Sequence, residues 1–137
     1  MSLYLCLFAG QKELAGLEVG SYDDYNDLRR AIAAELESGE AGSRFPTFML
    51  HGDCDGEWPA DECPRLREEL SVIAAEMQRL PPRPITLPGH REAVRDRGIR
   101  PGNAFESYVD VDGEFLIARL RELAEIACKE GLPILFQ

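Results

Sequence analysis

The sequence predicts a single α+β domain, residues 1–137, in which a mixed β-sheet of about four to five strands carries three main helices. Two observations support this fold class. A length of 137 residues fits one domain, and 45% apolar with 29% charged residues is an ordinary globular composition. The apolar segments also change between extended and helical spacing along the chain, in the order β-β-α-β-α-β-α-β.

The chain begins with a predicted β-hairpin. Residues 2–9 form a near-continuous apolar and aromatic run, the turn-like segment 9–12 follows, and residues 13–19 form a second extended stretch. A helix over residues 22–38 is expected next. Ser21 is its predicted N-cap, with Asp24 in the capping-box position usually held by Glu, and Gly39 ends it.

The middle of the chain predicts a strand, a polar loop and a helix. Residues 44–51 contain the apolar run 47–50, which is typical of a strand, and residues 52–58 form the loop. Apolar residues at helical spacing then predict a helix over residues 59–80, with Pro64 in its first turn.

The last third of the chain begins with residues 81–103, which are rich in Pro, Gly and Arg and are expected to connect elements of the same domain, with at most a short helix near residues 92–96. A strand is predicted over residues 104–111 and a helix over 115–129, followed by Gly131 as its C′ residue. Residues 132–136 are expected to form a closing strand.

The charge of the chain favours a basic protein partner. Lys and Arg number 15 against 25 Asp and Glu, which gives a net charge of −10. This balance disfavours nucleic acid and anionic membranes, because both are bound by Lys and Arg. In the nearest basic cluster, acidic residues interrupt the cationic ones. It consists of His90, Arg91, Arg95, Arg97 and Arg100, with Glu92 and Asp96 among them.

The cysteines and the N-terminus predict a cytoplasmic protein. No Cys-x-x-Cys pair occurs among Cys6, Cys54, Cys63 and Cys128, so reduced thiols are expected. The apolar run at the N-terminus lacks a positively charged start and is too short for a secretory signal or a membrane span.

The most specific local pattern is a repeated acidic turn. Residues 53–58 and 110–115 both read Asp-x-Asp-Gly-Glu-aromatic, and each lies between a predicted strand and a predicted helix. The carboxylates either cap the helix after the turn or form an outward docking surface, and Trp58 is either a buried anchor or an interface hot spot. The candidate partner-binding residues are Asp53, Asp55, Glu57, Trp58, Asp110, Asp112 and Glu114.

Further acidic residues lie on the first predicted helix. They are expected to form a solvated face, and together with the two turns they would make a broad anionic surface. These residues are Asp23, Asp24, Asp27, Glu35 and Glu37.

An enzymatic alternative comes from the same turn, because haloacid-dehalogenase phosphatases carry a similar Asp-x-Asp-Gly after a strand. That resemblance implies a nucleophile and an acid/base at Asp53 and Asp55, or at Asp110 and Asp112. Such an enzyme also needs a phosphate-binding Lys, a further acidic metal-binding pair and a doubly wound sheet, for which this chain is short. The only lysines are Lys12 and Lys129.

Other chemistries fit the sequence less well. An EF-hand fails because Trp58 and Phe115 occupy the position of the obligatory Gly. Acidic neighbours should raise the pKa of the Cys54 thiol, which works against a nucleophile. We therefore predict no catalytic residue, no metal and no cofactor. A zinc site also fits poorly, because its spacings match no common structural site; its ligands would be His51, Cys54, Cys63 and His90.

Several segments together resemble the bacterial immunity protein 70 family. They are residues 2–8, 16–22, 42–47, 51–58 and 131–137. The resemblance runs over nearly the whole chain and implies a small cytoplasmic inhibitor without enzyme activity, which binds the toxic C-terminal domain of a polymorphic toxin. It brings no established binding residues to this sequence. The acidic character of the chain agrees with an inhibitor that is steered to a basic toxin.

Overall fold

A computed structural model describes residues 2–137 and contains a four-stranded sheet with the order β2-β1-β4-β3. Its strands are β1 (Ser2–Ala9), β2 (Lys12–Ser21), β3 (Glu57–Trp58) and β4 (Ile134–Phe136). Its helices are α1 (Tyr22–Leu36), α2 (Pro46–Met49), α3 (Cys63–Met77), α4 (Pro88–Asp96) and α5 (Leu116–Glu130). The α+β class is therefore confirmed, whereas all three strand pairings are antiparallel and the expected sheet was mixed.

The N-terminal hairpin is confirmed. Strands β1 and β2 pair from Ser2 opposite Ser21 to Ala9 opposite Lys12, and Gly10 takes a positive φ of 65° in the turn. Strand β4 lies against the other edge of β1 and places the end of the chain in the middle of the sheet. The expected closing strand is thus present, although it is shorter than residues 132–136.

Helix α1 begins as expected, with Ser21 accepting a hydrogen bond from the backbone N–H of Asp24 and the Asp24 carboxylate accepting one from the backbone N–H of Ser21. It ends at Leu36, two residues before the expected end. The reason is Glu37, whose carboxylate turns inward and accepts hydrogen bonds from the backbone N–H groups of Gly42, Arg44 and Phe45.

The strand expected over residues 44–51 is wrong, because the short helix α2 lies there. Its first N–H groups, on Thr47 and Phe48, donate to the carboxylate of Glu69 at 3.2 and 2.9 Å. Pro46 fits the first turn because no N–H is needed there. A short apolar run does not distinguish a strand from a buried helical turn. Here the Glu69 carboxylate, which is distant in the sequence, stabilises the helix.

The strand expected over residues 104–111 is also wrong. A 3₁₀ turn spans Phe105–Ser107, and a single antiparallel bridge joins Val109 to Phe115. The Ser107 hydroxyl accepts a hydrogen bond from the backbone N–H of Arg83 at 2.9 Å, which ties this segment to the preceding connection, and at its end the N–H of Val111 donates to the Glu18 oxygen of β2. Conversely, strand β3 lies in the segment expected to be a loop.

The three main helices are present with shifted ends. A 3₁₀ turn, Ala60–Glu62, precedes α3, so that Pro64 lies in the first turn of α3 as expected. Helix α4 is longer than the short helix expected at residues 92–96, and Gly131 ends α5 with a φ of 66°.

No helix within residues 2–137 has the length and hydropathy needed to cross a bilayer.

The core lies between the sheet and the helices α1, α3 and α5. Alternate residues of β1 point into it. The buried apolar residues that connect these elements include Leu3, Leu5, Leu7, Leu28, Ile32, Leu66, Leu70, Ile73, Leu120 and Ala124.

Candidate partner-binding surface

The first acidic turn, residues 52–57, is braced by helix α1. The Asn26 amide donates a hydrogen bond of 2.6 Å to Asp53 Oδ2, and the Arg29 guanidinium donates to the backbone oxygens of Met49 and His51 at 3.2 and 2.6 Å. The same guanidinium also donates to Asn26 Oδ1 at 2.8 Å. Asn26 and Arg29, which are one turn of the helix apart, therefore fix the start of the acidic turn.

His51 joins the two ends of this turn. Its Nδ1 lies 2.8 Å from the Gly52 carbonyl oxygen and its Nε2 lies 2.8 Å from the Glu57 carbonyl oxygen. The ring stacks on Phe136, with centroids 4.2 Å apart and planes inclined by 17°. Because both ring nitrogens face backbone carbonyls, His51 positions the turn instead of serving as a free base or metal ligand.

The carboxylates of this turn reach solvent. Asp55 and Glu57 are exposed and Asp53 is partly exposed. The pKa of Asp53 lies below its usual value, mainly because Asn26 donates a hydrogen bond to the carboxylate. This carboxyl therefore stays ionised near neutral pH. The turn thus holds up to three negative charges on a braced backbone.

Trp58 is buried, with only 1% of its surface exposed. Its indole N–H donates a hydrogen bond of 2.9 Å to the Thr47 carbonyl oxygen, and its ring packs against Phe48 and Phe136. The interpretation of Trp58 as a buried anchor is confirmed. The alternative prediction, that Trp58 contacts a partner directly, is wrong, because its large apolar ring is packed in the core.

The second acidic turn, residues 110–114, closes on itself. Asp110 Oδ1 accepts hydrogen bonds of 2.9 Å from the backbone N–H groups of both Asp112 and Glu114, and only 2% of Asp110 is exposed. Asp110 is therefore an internal cap of its turn, and its expected outward display is wrong. Asp112 and Glu114 remain exposed.

The two acidic turns lie at opposite edges of the sheet. Glu57 belongs to the edge strand β3, whereas the N–H of Val111 donates to the Glu18 oxygen of the other edge strand, β2. At a strand spacing of about 4.8 Å, this separation is on the order of 20 Å. The structure therefore does not bring the two turns into one patch, and the start of α1 lies between them.

The acidic residues that the sequence placed on the first helix have different environments. Asp23 and Glu35 are exposed and Asp27 is partly exposed, so they agree with a solvated face. Glu37 does not, because it is 3% exposed and binds the backbone N–H groups that come after α1. Its expected place on a solvated face is wrong.

The braces of the first acidic turn were not predicted from the sequence. Asn26 and Arg29 are 27 and 22 residues from their partners Asp53 and His51, so no local spacing connects them. Their polar side chains at an i, i+3 spacing on an otherwise amphipathic helix were the only signal.

The thiols and histidines do not assemble into a reactive centre. Burial raises the pKa of Cys63 to about 11, and the neighbouring Asp55 is the main cause that raises the pKa of Cys54, as the sequence predicted. His90 is buried, and its Nε2 accepts a hydrogen bond from the Val109 N–H at 3.3 Å. Over residues 2–137, no three His, Cys, Asp or Glu side chains are arranged to hold a metal ion. All four cysteines are free.

The phosphatase alternative gains no support from the arrangement of the chain. Its doubly wound sheet is parallel, whereas the strand pairings within residues 2–137 are antiparallel. One candidate nucleophile, Asp110, is engaged by its own turn, and the lysines lie at the hairpin turn and in the last turn of α5.

Comparison with known families gives one match. A family model described as Immunity protein 70 matches residues 3–136 of the chain. No curated protein and no solved structure matches it.

Proposed function

The chain belongs to the immunity protein 70 family, and on that premise we propose that it binds and neutralises the toxic domain of a cognate polymorphic toxin through its acidic surface. The family match over residues 3–136 carries this proposal, since an immunity protein acts on a protein partner. We place the complex in the cytoplasm, with a basic toxin domain as the partner and without an enzymatic step by this chain.

The first acidic turn is the leading contact surface. Asp53, Asp55 and Glu57 are accessible, and Asn26 and Arg29 hold the turn in one conformation before binding. Preorganisation of this kind lowers the entropy cost of association. A net charge of −10 also favours encounter with a cationic surface, such as the substrate cleft of an enzyme that acts on anionic molecules.

Asp112 and Glu114 form a second exposed patch near the opposite edge of the sheet. Trp58 and Asp110 contribute indirectly in this proposal. Trp58 anchors the strand that comes after the first turn, and Asp110 shapes the second turn. The partner-binding set is thereby reduced to the carboxylates that reach solvent.

The test of the function is protection from the toxin encoded next to this chain. The C-terminal domain of the neighbouring secreted protein is expressed with and without the chain in a sensitive host, and co-expression is expected to restore growth. An inactive variant of the same domain then serves for binding measurements. Lack of protection together with lack of binding would overturn the proposal.

The test of the surface is a charge reversal that leaves the braces intact. In Asp55→Lys/Glu57→Lys both altered side chains are exposed, and the Asn26 contact to Asp53 is kept. Association with the toxin domain should slow by about tenfold and depend less on salt, because steering falls with the charge. The matched control is Glu125→Lys/Glu130→Lys on α5, which makes the same charge change. Equal association rates for the two variants would remove this turn from the proposal.

A further inference from the structure

Besides the two acidic turns, the molecule has an acidic groove between the start of α1 and helix α4, here called the α1–α4 groove. Its volume is about 740 Å³. It lies apart from the first acidic turn and adjoins the second, whose Val111 forms part of its wall. The lining residues that matter here are Asp23, Asp24, Leu87, Glu92, Asp96 and Val111.

Helix α4 contributes acidic residues to the groove and keeps its arginines outside it, although Arg95 Nε lies 3.9 Å from Asp96 Oδ1. Glu92 and Asp96, four residues apart, line the groove, whereas Arg91 and Arg95 are exposed and do not. The residues that interrupt the basic cluster in the sequence are thus collected on one side of the helix. Together with Asp23 and Asp24 of α1, they surround the groove with carboxylates.

The groove also contains apolar surface. Val111 is 47% exposed, which is unusual for a large aliphatic residue in this chain, and Leu87 and Pro88 line the same space. An apolar floor with a charged rim is the arrangement of protein-binding sites, in which aliphatic stems pack on the floor and charged groups pair at the rim.

A smaller cavity of about 40 Å³ adjoins the groove, because Asp24 and Val111 line both, and His90 and Asp110 also line the cavity. Of the two lining carboxylates, Asp24 has a buried oxygen, Oδ1, that accepts no hydrogen bond from residues 2–137. The Asp110 carboxylate is already engaged, because its Oδ1 accepts two backbone N–H groups and its Oδ2 forms an ion pair with Arg119 Nε at 3.6 Å. His90 Nε2 already accepts a hydrogen bond from Val109.

A buried oxygen such as Asp24 Oδ1 is costly unless a donor reaches it. A Lys ammonium is compact, carries three donors and has an apolar stem, whereas the planar guanidinium of Arg needs more room. A cavity of 40 Å³ next to an apolar floor suits the ammonium.

Resting on the function proposed above, we infer that the α1–α4 groove receives a basic segment of the toxin and that one lysine of this segment inserts toward Asp24 Oδ1. The lysine stem lies along Leu87 and Val111. Neighbouring cations of the segment pair with Glu92 and Asp96 at the rim.

The first experiment compares two double charge reversals in the full chain. Glu92→Lys/Asp96→Lys changes the groove, and Glu125→Lys/Glu130→Lys changes the charge of α5 by the same amount. Titration calorimetry with the inactive toxin domain should give a Kd at least about tenfold higher for the groove variant, equivalent to 1.4 kcal/mol, and a much smaller change for the control. Equal effects of the two variants would overturn the inference.

The second experiment addresses the inserted lysine. In Asp24→Asn the side chain keeps an oxygen that can accept the Ser21 hydrogen bonds, and an amide NH₂ group, which offers a cation neither a charge nor an acceptor, replaces Oδ1. Binding should weaken by about tenfold while the thermal unfolding midpoint stays close to that of the parent chain. Unchanged binding of this folded variant would contradict the insertion.

The two proposals fail in different ways. If the unaltered chain neither protects nor binds, the proposed function fails. If the unaltered chain binds and both groove variants bind as tightly as it does, the proposed function stands and the groove inference fails. Amide NMR shifts of Gly20, Gly89 and Val111 on addition of the toxin domain provide a direct readout, since all three line the groove.

Discussion

The two acidic turns share one sequence pattern and differ in structure. In the first turn, Asp53 is partly exposed and bonded to Asn26 of another element, whereas in the second turn Asp110 is buried and bonded to the backbone of its own turn. The aromatic residues differ too, because Trp58 is fully buried and Phe115 only partly. The pattern therefore specifies a turn, and the elements around it decide which carboxylates face solvent.

The difference arises from the element that each turn leads into. The first turn leads into the edge strand β3, and α1 and His51 brace it from outside. The second turn leads directly into α5, and a bridge between Val109 and Phe115 closes it. The second turn satisfies two of its own N–H groups with the Asp110 carboxylate, whereas the oxygens of the first turn are bound by side chains from outside it.

The largest expected effect is at the aromatic positions. Trp58→Ala should lower the free energy of unfolding by about 3–5 kcal/mol, because it leaves a cavity and removes the hydrogen-bond donor to Thr47. Phe115→Ala should cost clearly less, since Phe115 is partly exposed. Urea denaturation of both variants measures the difference. Equal losses would show that the two turns have equivalent roles in stability.

The next effect separates the two leading aspartates. Asp110→Ala should lower the free energy of unfolding by about 2 kcal/mol, because two backbone N–H groups lose their acceptor. Asp53→Ala removes one contact, to the Asn26 side chain, at the surface and should cost less than about 1 kcal/mol. Chemical denaturation at pH 7 checks both. A larger loss for Asp53→Ala would reverse the assigned roles.

The smallest effect is a pH dependence near the second turn. Burial lowers the pKa of His90 from its usual 6.5, against the opposing influence of Asp24 and Asp27, and the ring stacks on Tyr108. The folded state then binds fewer protons than the unfolded chain below about pH 6.5. The contribution of His90 is fully present above that pH and is lost as the pH falls toward its lowered pKa, by at most about 1.4 kcal/mol per pH unit.

The measurement is thermal unfolding of the parent chain and His90→Gln between pH 7.5 and 5.5. The difference in stability between them should shift in favour of the variant as the pH falls. Asp110 acts with the opposite sign, because burial raises its pKa and protonation of the folded state then begins above the usual value of 3.8. A stability difference that stays constant with pH would contradict the assignment to His90.

The sequence predicted the long helices well because their apolar residues repeat over several turns. The capping box at Ser21 and Asp24 and the terminator Gly131 were also predicted, since both signals are local. The segments at 44–51 and 104–111 were predicted incorrectly, because a short apolar run has no reliable period. In the structure, Glu69 caps the first of these segments and Ser107 ties the second to Arg83.

The candidate surface shows the same division. Sequence spacing was sufficient to select the two acidic turns, and exposure of Asp55, Glu57, Asp112 and Glu114 agrees with the expected pattern. It did not reveal that Asp110 is internal, that Asn26 and Arg29 brace the first turn, or that α4 forms a groove with α1. Each of these features depends on contacts formed between distant parts of the chain or on the direction of one carboxylate.

The sequence by itself determined the α+β class, the acidic character, the long helices and the likeness to an immunity protein family. The tertiary structure decided the strand order, the two short segments, the burial of Trp58 and Asp110, and the side of α4 that faces the groove. The physical reason is the distance along the sequence over which each interaction acts. Helical periodicity and capping act over a few residues, whereas burial and the pairing of buried polar groups depend on neighbours that only folding brings together.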